Sequence, residues 1–185
     1  PPGCSAVKME EMHGVVAAVD AVRTRIGKML EHQNTLFERA IYWTHATTGM
    51  RCRMKADVIF PHGSTIIICD LKTTDSAEPR QFVQVMKRQH YHLQAATYVE
   101  GVRAWAKDVL GIRSPDVEFR FLAIERDGLC QSSEIVLRPA DMMQAETHRD
   151  RLMSKLATAY EENRWEDQWE KEVNYVSLPD YVYGE

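Results

Sequence analysis

The sequence predicts an α+β sandwich in which a central mixed sheet of about five strands carries helices on its faces. Two observations predict it: runs of strand-forming residues come in a group of three and then a group of two, and segments with helical spacing flank both groups. The chain has 185 residues, of which 44% are hydrophobic and 27% charged. Such a chain is long enough for a substantial core, and we expect residues 1–185 to form one domain.

The first half of the chain predicts one helix followed by three strands. Residues 8–32 carry apolar residues at helical spacing. Residues 36–44 are rich in strand formers, and a polar turn at 46–49 separates them from a second strand at 50–60. A Pro-His-Gly-Ser turn then leads into a third strand at 64–71, whose uninterrupted apolar residues predict burial on both faces.

The second half alternates helices with strands, which completes the sheet and covers it. The predicted elements are a short helix at 79–88, a longer helix from 90 to about 110, strands at 117–125 and 133–137 around an Asp127-Gly128 turn, and a final helix at 139–163. The core of the domain is therefore expected at about 36–137. The aromatic and acidic tail, 165–185, is expected to pack back on the domain or on a neighbour.

The composition indicates the cellular compartment of the protein and argues against cofactors that are bound by cysteines. The four cysteines are scattered and never in Cys-x-x-Cys spacing, which favours reduced thiols and argues against zinc or an iron–sulfur cluster. No apolar run approaches the roughly 20 residues that cross a bilayer, and the first residues do not have the pattern of a signal peptide. We expect a cytoplasmic protein.

The charge balance leaves nucleic-acid binding open. A net charge of −4 argues weakly against a protein coated in nucleic acid. Arg51, Arg53 and Lys55 nevertheless alternate along one predicted strand, which would concentrate positive charge on one face. A local channel for phosphates and a solvated surface are both consistent with this pattern, and composition alone favours the solvated surface.

The most informative segment runs from Lys55 to Lys72. It predicts a hairpin with Asp57 at the start of its first strand, and Asp70 and Lys72 at the end of its second. Asp70 and Lys72 are two residues apart, so their side chains project from the same face. Because unpaired buried charge is costly, these groups should pair or bind something. Two carboxylates can hold a hard divalent cation and a lysine can orient a water, which is the equipment for metal-assisted phosphodiester hydrolysis.

These residues resemble the PD-(D/E)xK nuclease superfamily, with Ala56-Asp57 as the first half of the motif and Asp70-Leu71-Lys72 as the second. Alanine replaces the proline, which is often absent in that superfamily. Gln94 and Tyr98 match the Gln-x-x-x-Tyr motif of its RecB-like branch. The phrases E-R-A-I-Y-W, T-G-M-R-C-R-M-K-A-D, D-L-K-T-T and Y-H-L-Q-A-A-T-Y are most similar to the RecE (exonuclease VIII) group of phage and prophage exonucleases. The resemblance covers roughly Glu38 to Gly101.

The resemblance implies a restriction-endonuclease-like nuclease core and a set of site residues. Asp57, Asp70 and the Leu71 carbonyl would bind one or two Mg²⁺ ions, for which Mn²⁺ can substitute. Lys72 would position or deprotonate the attacking water. Glu38 is either a further carboxylate ligand or a surface glutamate.

The resemblance also implies residues around the metal ligands. Gln94 would bond a water or a phosphate, and Tyr98 would contact the backbone or brace Lys72. Candidates for contact with DNA are Thr73, Thr74, Arg80, Lys87 and Arg88. The Gly-x-x-x-His helix that usually precedes the first strand in RecE- and RecB-like nucleases has no match. His13 lies in a different context, so either that helix is missing from this chain or the group dispenses with it.

The function implied by the resemblance is a Mg²⁺-dependent 5′-to-3′ exonuclease that resects double-stranded DNA ends for recombination by single-strand annealing. Such enzymes form ring-like oligomers, here a trimer or tetramer, and work beside an annealing protein of the RecT type. The alternatives are another RecB-like or CRISPR-associated nuclease, which often carries a cysteine cluster absent here, and a catalytically silent DNA-binding subunit. A restriction endonuclease would lack Gln-x-x-x-Tyr.

Overall fold

The computed structural model describes residues 9–126 and 130–165. The expected Asp127-Gly128 turn, the N-terminal residues 1–8 and the tail from 166 onward lie outside these ranges. The elements in chain order are α1 (Met9–Leu30), β1 (Leu36–Thr44), β2 (Arg51–His62), β3 (Thr65–Thr74), α2 (Pro79–Arg88), α3 (Tyr91–Leu110), β4 (Asp116–Glu125), β5 (Ser132–Val136) and α4 (Pro139–Glu161). The predicted fold class is confirmed, and each predicted helix and strand is present within a few residues of its expected bounds.

The five strands form one sheet in the order β1-β2-β3-β4-β5. Every neighbouring pair is antiparallel except β3 and β4, which are parallel. A parallel pair needs a long crossover, and here α2 and α3 supply it. The start of α3 lies at the end of β3, since the Lys72 ammonium is 4.8 Å from the centre of the Tyr91 ring.

The sheet is buried between two apolar clusters. One cluster joins the sheet to α2 and α3 and contains Phe82, Val99, Phe119 and Phe121, all almost fully buried. The other joins the opposite face to α1 through Ile26 and Met29. On β3, Ile66 to Cys69 are buried as predicted, with successive residues alternating between the two clusters. Asp70 and Lys72 therefore continue the face that α3 covers.

Local sequence explains how the two crossover helices begin. Helix α2 begins after Glu78, whose carboxylate accepts hydrogen bonds from the backbone N–H groups of Arg80 and Gln81, with Pro79 in the first turn. Helix α3 begins after His90, which has a φ of 53°, and ends at Gly111, which has a φ of 71°. The left-handed glycine ends the helix at little steric cost.

Gly101 of α3 lies close to the ring of Trp43 in the sheet. A Cβ on this residue would lie 2.9 Å from Cζ3 of the buried Trp43 in β1. We therefore expect Gly101→Val to lower the free energy of unfolding by about 1–3 kcal/mol, because Trp43 has to move within a packed core. Urea denaturation would measure this loss.

Gly14→Val is the matched control, since a Cβ on Gly14 in α1 meets nothing within 4 Å. It should change the free energy of unfolding by no more than about 0.5 kcal/mol. Equal losses for the two variants would show that the valine itself, and not the contact with Trp43, is responsible.

Candidate active site

Asp57 lies where β2 separates from β3. The β2–β3 ladder runs from His62 paired with Thr65 to Val58 paired with Cys69 and stops there. Oδ2 of Asp57 accepts a hydrogen bond of 2.8 Å from the backbone N–H of Leu71. The Asp57 side chain thus accepts the hydrogen bond from Leu71 that a backbone carbonyl of β2 would accept if the ladder continued. Asp57 lies within β2 and not at the start of a strand, because β2 begins six residues earlier, at Arg51.

The separation coincides with an irregular point shared by β1 and β2. Glu38 falls opposite Asp57, between the pairs Phe37–Val58 and Arg39–Ala56, and has a φ of 50°. A non-glycine residue with that φ is strained. Ala56 and Ile59 both pack in the cluster under α3 although they are three residues apart. The alternation of side chains between faces therefore changes at Asp57, which lets β2 leave β3.

Asp70 is the most buried charged group of the site. It is 3% exposed, and its Oδ1 accepts a hydrogen bond of 2.7 Å from Nε2 of Gln94 in α3. Its Oδ2 forms an ion pair with the Lys72 ammonium, as their two-residue spacing predicts. The same Oδ2 is buried without a well-directed hydrogen bond within the described residues.

The surroundings of Asp70 disfavour its charged form. Burial raises the pKa of Asp70 above its ordinary value, and the neighbouring charge of Asp57 raises it further. The Lys72 ammonium and the Gln94 amide oppose these effects without cancelling them. A cation placed near both carboxylates would favour their charged forms together.

Lys72 is held from two sides. Its side chain is 18% exposed and its ammonium contacts Asp70. The same ammonium lies 4.8 Å from the centre of the Tyr91 ring, a cation–π distance. The Tyr91 ring stacks in turn on Phe121 in β4. The Lys72 amine is therefore kept beside Asp70 and largely screened from bulk water.

Helix α3 directs Gln94 and Tyr98 toward different parts of the site. Gln94 bonds Asp70, whereas the Tyr98 hydroxyl donates to the backbone carbonyl of Lys55 at 3.2 Å. Lys55 precedes Asp57 by two residues, so Tyr98 supports β2 and not Lys72. Their four-residue spacing places both on one helix face, which spans the gap between β2 and β3.

Residues 23–179 match the family model described as a PDDEXK-like domain of unknown function, DUF3799. The chain belongs to this family. It therefore has a PD-(D/E)xK nuclease-like domain, and this part of the resemblance is confirmed. No curated protein sequence matches the chain.

A solved structure supports the fold of this PDDEXK-like domain. A crystal structure described as a "Putative exonuclease" from Eubacterium rectale aligns with a TM-score of 0.57 and 12% identity, covering 90% of this chain and 64% of that one. The PDDEXK-like chain thus spans less than two thirds of that relative. A structure named SSO0001 aligns at a TM-score of 0.38 and 15% identity, covering 78% of this chain and 61% of that one, a level that supports no conclusion.

The site of this PDDEXK-like domain fits a cation that is held only partly by protein. Within residues 9–126 and 130–165, no three His, Cys, Asp or Glu side chains cluster tightly enough to bind a metal alone. Mg²⁺ usually keeps several waters and binds through one or two carboxylates plus substrate phosphates. Asp57, Asp70 and the Leu71 carbonyl are that kind of ligand set. The Oδ2 of Asp70 is buried against the Lys72 ammonium, so a cation bound here would share this carboxylate with Lys72.

The remaining predicted site residues lie in β1, β3 and α2, and within the described part of the chain they form none of the hydrogen bonds or ion pairs of this centre. Glu38 is exposed and forms an ion pair with Lys55. Thr73 is exposed, whereas Thr74 is buried and its hydroxyl donates to the Ser76 carbonyl. The exposed cations Arg80, Lys87 and Arg88 all lie on α2. His13 lies on α1 and is exposed.

Two site features were missed by sequence reasoning. Tyr91 was not singled out, although it lies three residues before Gln94 and its helical spacing places it on the same face. The hydrogen bond from the Leu71 N–H to Asp57 had no sequence signal, because it depends on where the β2–β3 ladder stops.

Proposed function

We propose that this chain is a Mg²⁺-dependent deoxyribonuclease. The observation that carries the proposal is that Asp57 accepts a hydrogen bond from the backbone N–H of Leu71, the residue next to Asp70, while the Lys72 amine is held against Asp70. This brings two carboxylates, a backbone carbonyl and a positioned amine together at the end of a buried strand. Membership of the PDDEXK-like family supports the same chemistry.

Each residue has a distinct role in the proposed reaction. Asp57, Asp70 and the Leu71 carbonyl would hold one or two Mg²⁺ ions, with Mn²⁺ as a substitute. Bound there, the cation would stabilise charge developing on the scissile phosphate. Lys72 would orient the attacking water, and it would either stabilise the resulting hydroxide as an ammonium or accept the proton of the water as a neutral amine. Gln94 would fix the Asp70 carboxylate, and Tyr98 would hold β2 in place.

The finer proposal is a 5′-to-3′ exonuclease that resects double-stranded DNA ends for single-strand annealing. Its support is the resemblance of Glu38 to Gly101 to the RecE group. The same resemblance supports a ring-like homo-oligomer and an annealing partner of the RecT type, acting in the cytoplasm. No helix among the described residues has the length and apolarity needed to span a membrane.

The test is digestion of a linear duplex labelled at one 5′ end, with Mg²⁺ or with EDTA, by wild type and by Lys72→Ala. We expect wild type with Mg²⁺ to release labelled mononucleotide at once, and EDTA or Lys72→Ala to slow release by about 100-fold or more. Cutting of closed circles would identify an endonuclease instead. Cleavage that proceeds equally well in EDTA would contradict the mechanism.

A further inference from the structure

The outer face of the β1–β2 hairpin carries a row of cations. Arg51, Arg53 and Lys55 alternate along β2 and are all exposed. Their partners across the ladder are Thr44, Tyr42 and Ala40, which are exposed as well. Residues paired across an antiparallel ladder share a face, so these six side chains form one surface, called here the cationic ribbon face. The intervening residues of both strands face the core.

The positive charge of this face is only partly neutralised. Lys55 forms an ion pair with Glu38. Among the described residues, Arg51 and Arg53 have no carboxylate within ion-pair distance, whereas Arg103 and Arg120 are paired with glutamates. In a chain whose net charge is −4, two neighbouring arginines that form no ion pair among the described residues are a local site that attracts anions.

An aromatic ring accompanies these cations. Tyr42 lies directly opposite Arg53 and is 74% exposed, an unusual position for a large ring on a sheet. Cations that follow a backbone, together with exposed aromatic rings on which bases stack, characterise surfaces that bind single-stranded nucleic acid. In a duplex the bases are already stacked on one another, so a single exposed ring favours an unpaired strand.

The cationic ribbon face begins two residues before Asp57 along β2, on the face of the sheet opposite to the one that carries Asp70 and Lys72, so a strand bound there would reach these residues past the point where β2 separates from β3. Lys55 precedes Asp57 by two residues, and the Tyr98 hydroxyl donates a hydrogen bond to the backbone carbonyl of Lys55. At about 3.3 Å per residue, Arg53 lies roughly 13 Å and Arg51 roughly 20 Å along β2 from Asp57. Because β2 has already separated from β3 at this point, this part of the hairpin extends away from the site and offers a track for several nucleotides.

We propose that the cationic ribbon face binds single-stranded DNA adjoining the candidate active site, with Arg51 and Arg53 on phosphates and Tyr42 stacked on an unpaired base. This inference rests on the proposed nuclease function and extends it by naming where an unpaired strand is held. The partner class is the DNA strand itself.

The test measures binding separately from cleavage. Fluorescence anisotropy of a labelled 20-nucleotide single strand is recorded over a salt series in EDTA, with Asp70→Asn as the background. Adding Arg51→Gln/Arg53→Gln should weaken binding at least tenfold and lower the log–log salt slope by about 1.4, since each phosphate contact contributes about 0.7. Adding Tyr42→Ala should weaken binding about 5- to 150-fold and leave that slope unchanged.

The matched control is Arg138→Gln/Arg151→Gln, which removes two exposed arginines at the start and middle of α4. It should leave affinity within about twofold. The proposal is overturned if the control and ribbon variants lose affinity equally, or if the ribbon variants bind like their background. It is also overturned if Tyr42→Ala does not change single-strand binding while Arg51→Gln/Arg53→Gln weakens binding of a blunt duplex as much as binding of the single strand. Absence of cleavage by the wild type would instead refute the nuclease function and leave these binding results standing.

Discussion

Replacing Asp70 with asparagine should lower metal-dependent DNA cleavage by at least about 100-fold. Asparagine keeps the shape of the side chain and can still accept the bond from Gln94, but it loses the charge that would hold a cation and that pairs with Lys72. Loss of residues that only support metal ligands already costs 10- to 100-fold, so loss of a ligand should cost more. Initial rates on a linear duplex with Mg²⁺ would measure the effect.

Calorimetry with Mn²⁺ gives a second measurement that does not depend on activity. Wild type should give a binding isotherm that Asp70→Asn abolishes, whereas Asp108→Asn, which changes an exposed aspartate of α3, should leave it intact. Folding should survive Asp70→Asn, because burial disfavours the ionised carboxylate. An isotherm that is unchanged in folded Asp70→Asn would contradict the assignment of Asp70 as a ligand.

Phe82→Ala should lower the free energy of unfolding by about 3–5 kcal/mol. Phe82 is completely buried in α2. Its ring lies 6.1 Å from the Tyr91 ring and 5.9 Å from the Phe121 ring, between centroids. Truncation would leave a cavity that these rings can fill only by moving, and Tyr91 is the ring under Lys72. Urea denaturation at neutral pH is the measurement.

Val83→Ala is the control for this truncation, since Val83 is the next residue of the same helix and is 49% exposed. It should change stability by less than about 0.5 kcal/mol. A similar loss in both variants would mean that helix α2, and not the aromatic packing, determines the effect.

Patterns of short range were predictable from the sequence. The two-residue period of a strand predicted that Asp70 and Lys72 share one face of β3. The helical period predicted that Gln94 and Tyr98 share one face of α3. Hydrophobic runs gave the buried strand β3, and the mixed sheet followed from the order of helices and strands. These features are determined by residues that are close together in the sequence, so they can be predicted from the sequence alone.

Features that depend on pairing between distant segments were not predictable. The strained backbone of Glu38 and the separation of β2 from β3 arise from the registers of three strands. The network that joins His45, Glu100, Arg149 and Asp150 links the turn after β1 with α3 and α4 across about 100 residues of sequence. No local pattern distinguishes these charged residues from solvated ones.

The hydrogen bond from Leu71 to Asp57 has a practical consequence for nuclear magnetic resonance. The Leu71 amide proton lies beyond the last rung of the ladder and yet is tied to a carboxylate of the site. Its resonance frequency and its exchange with deuterium therefore sense the state of Asp57. This single backbone signal is an internal reporter of ligand occupancy that requires no introduced probe.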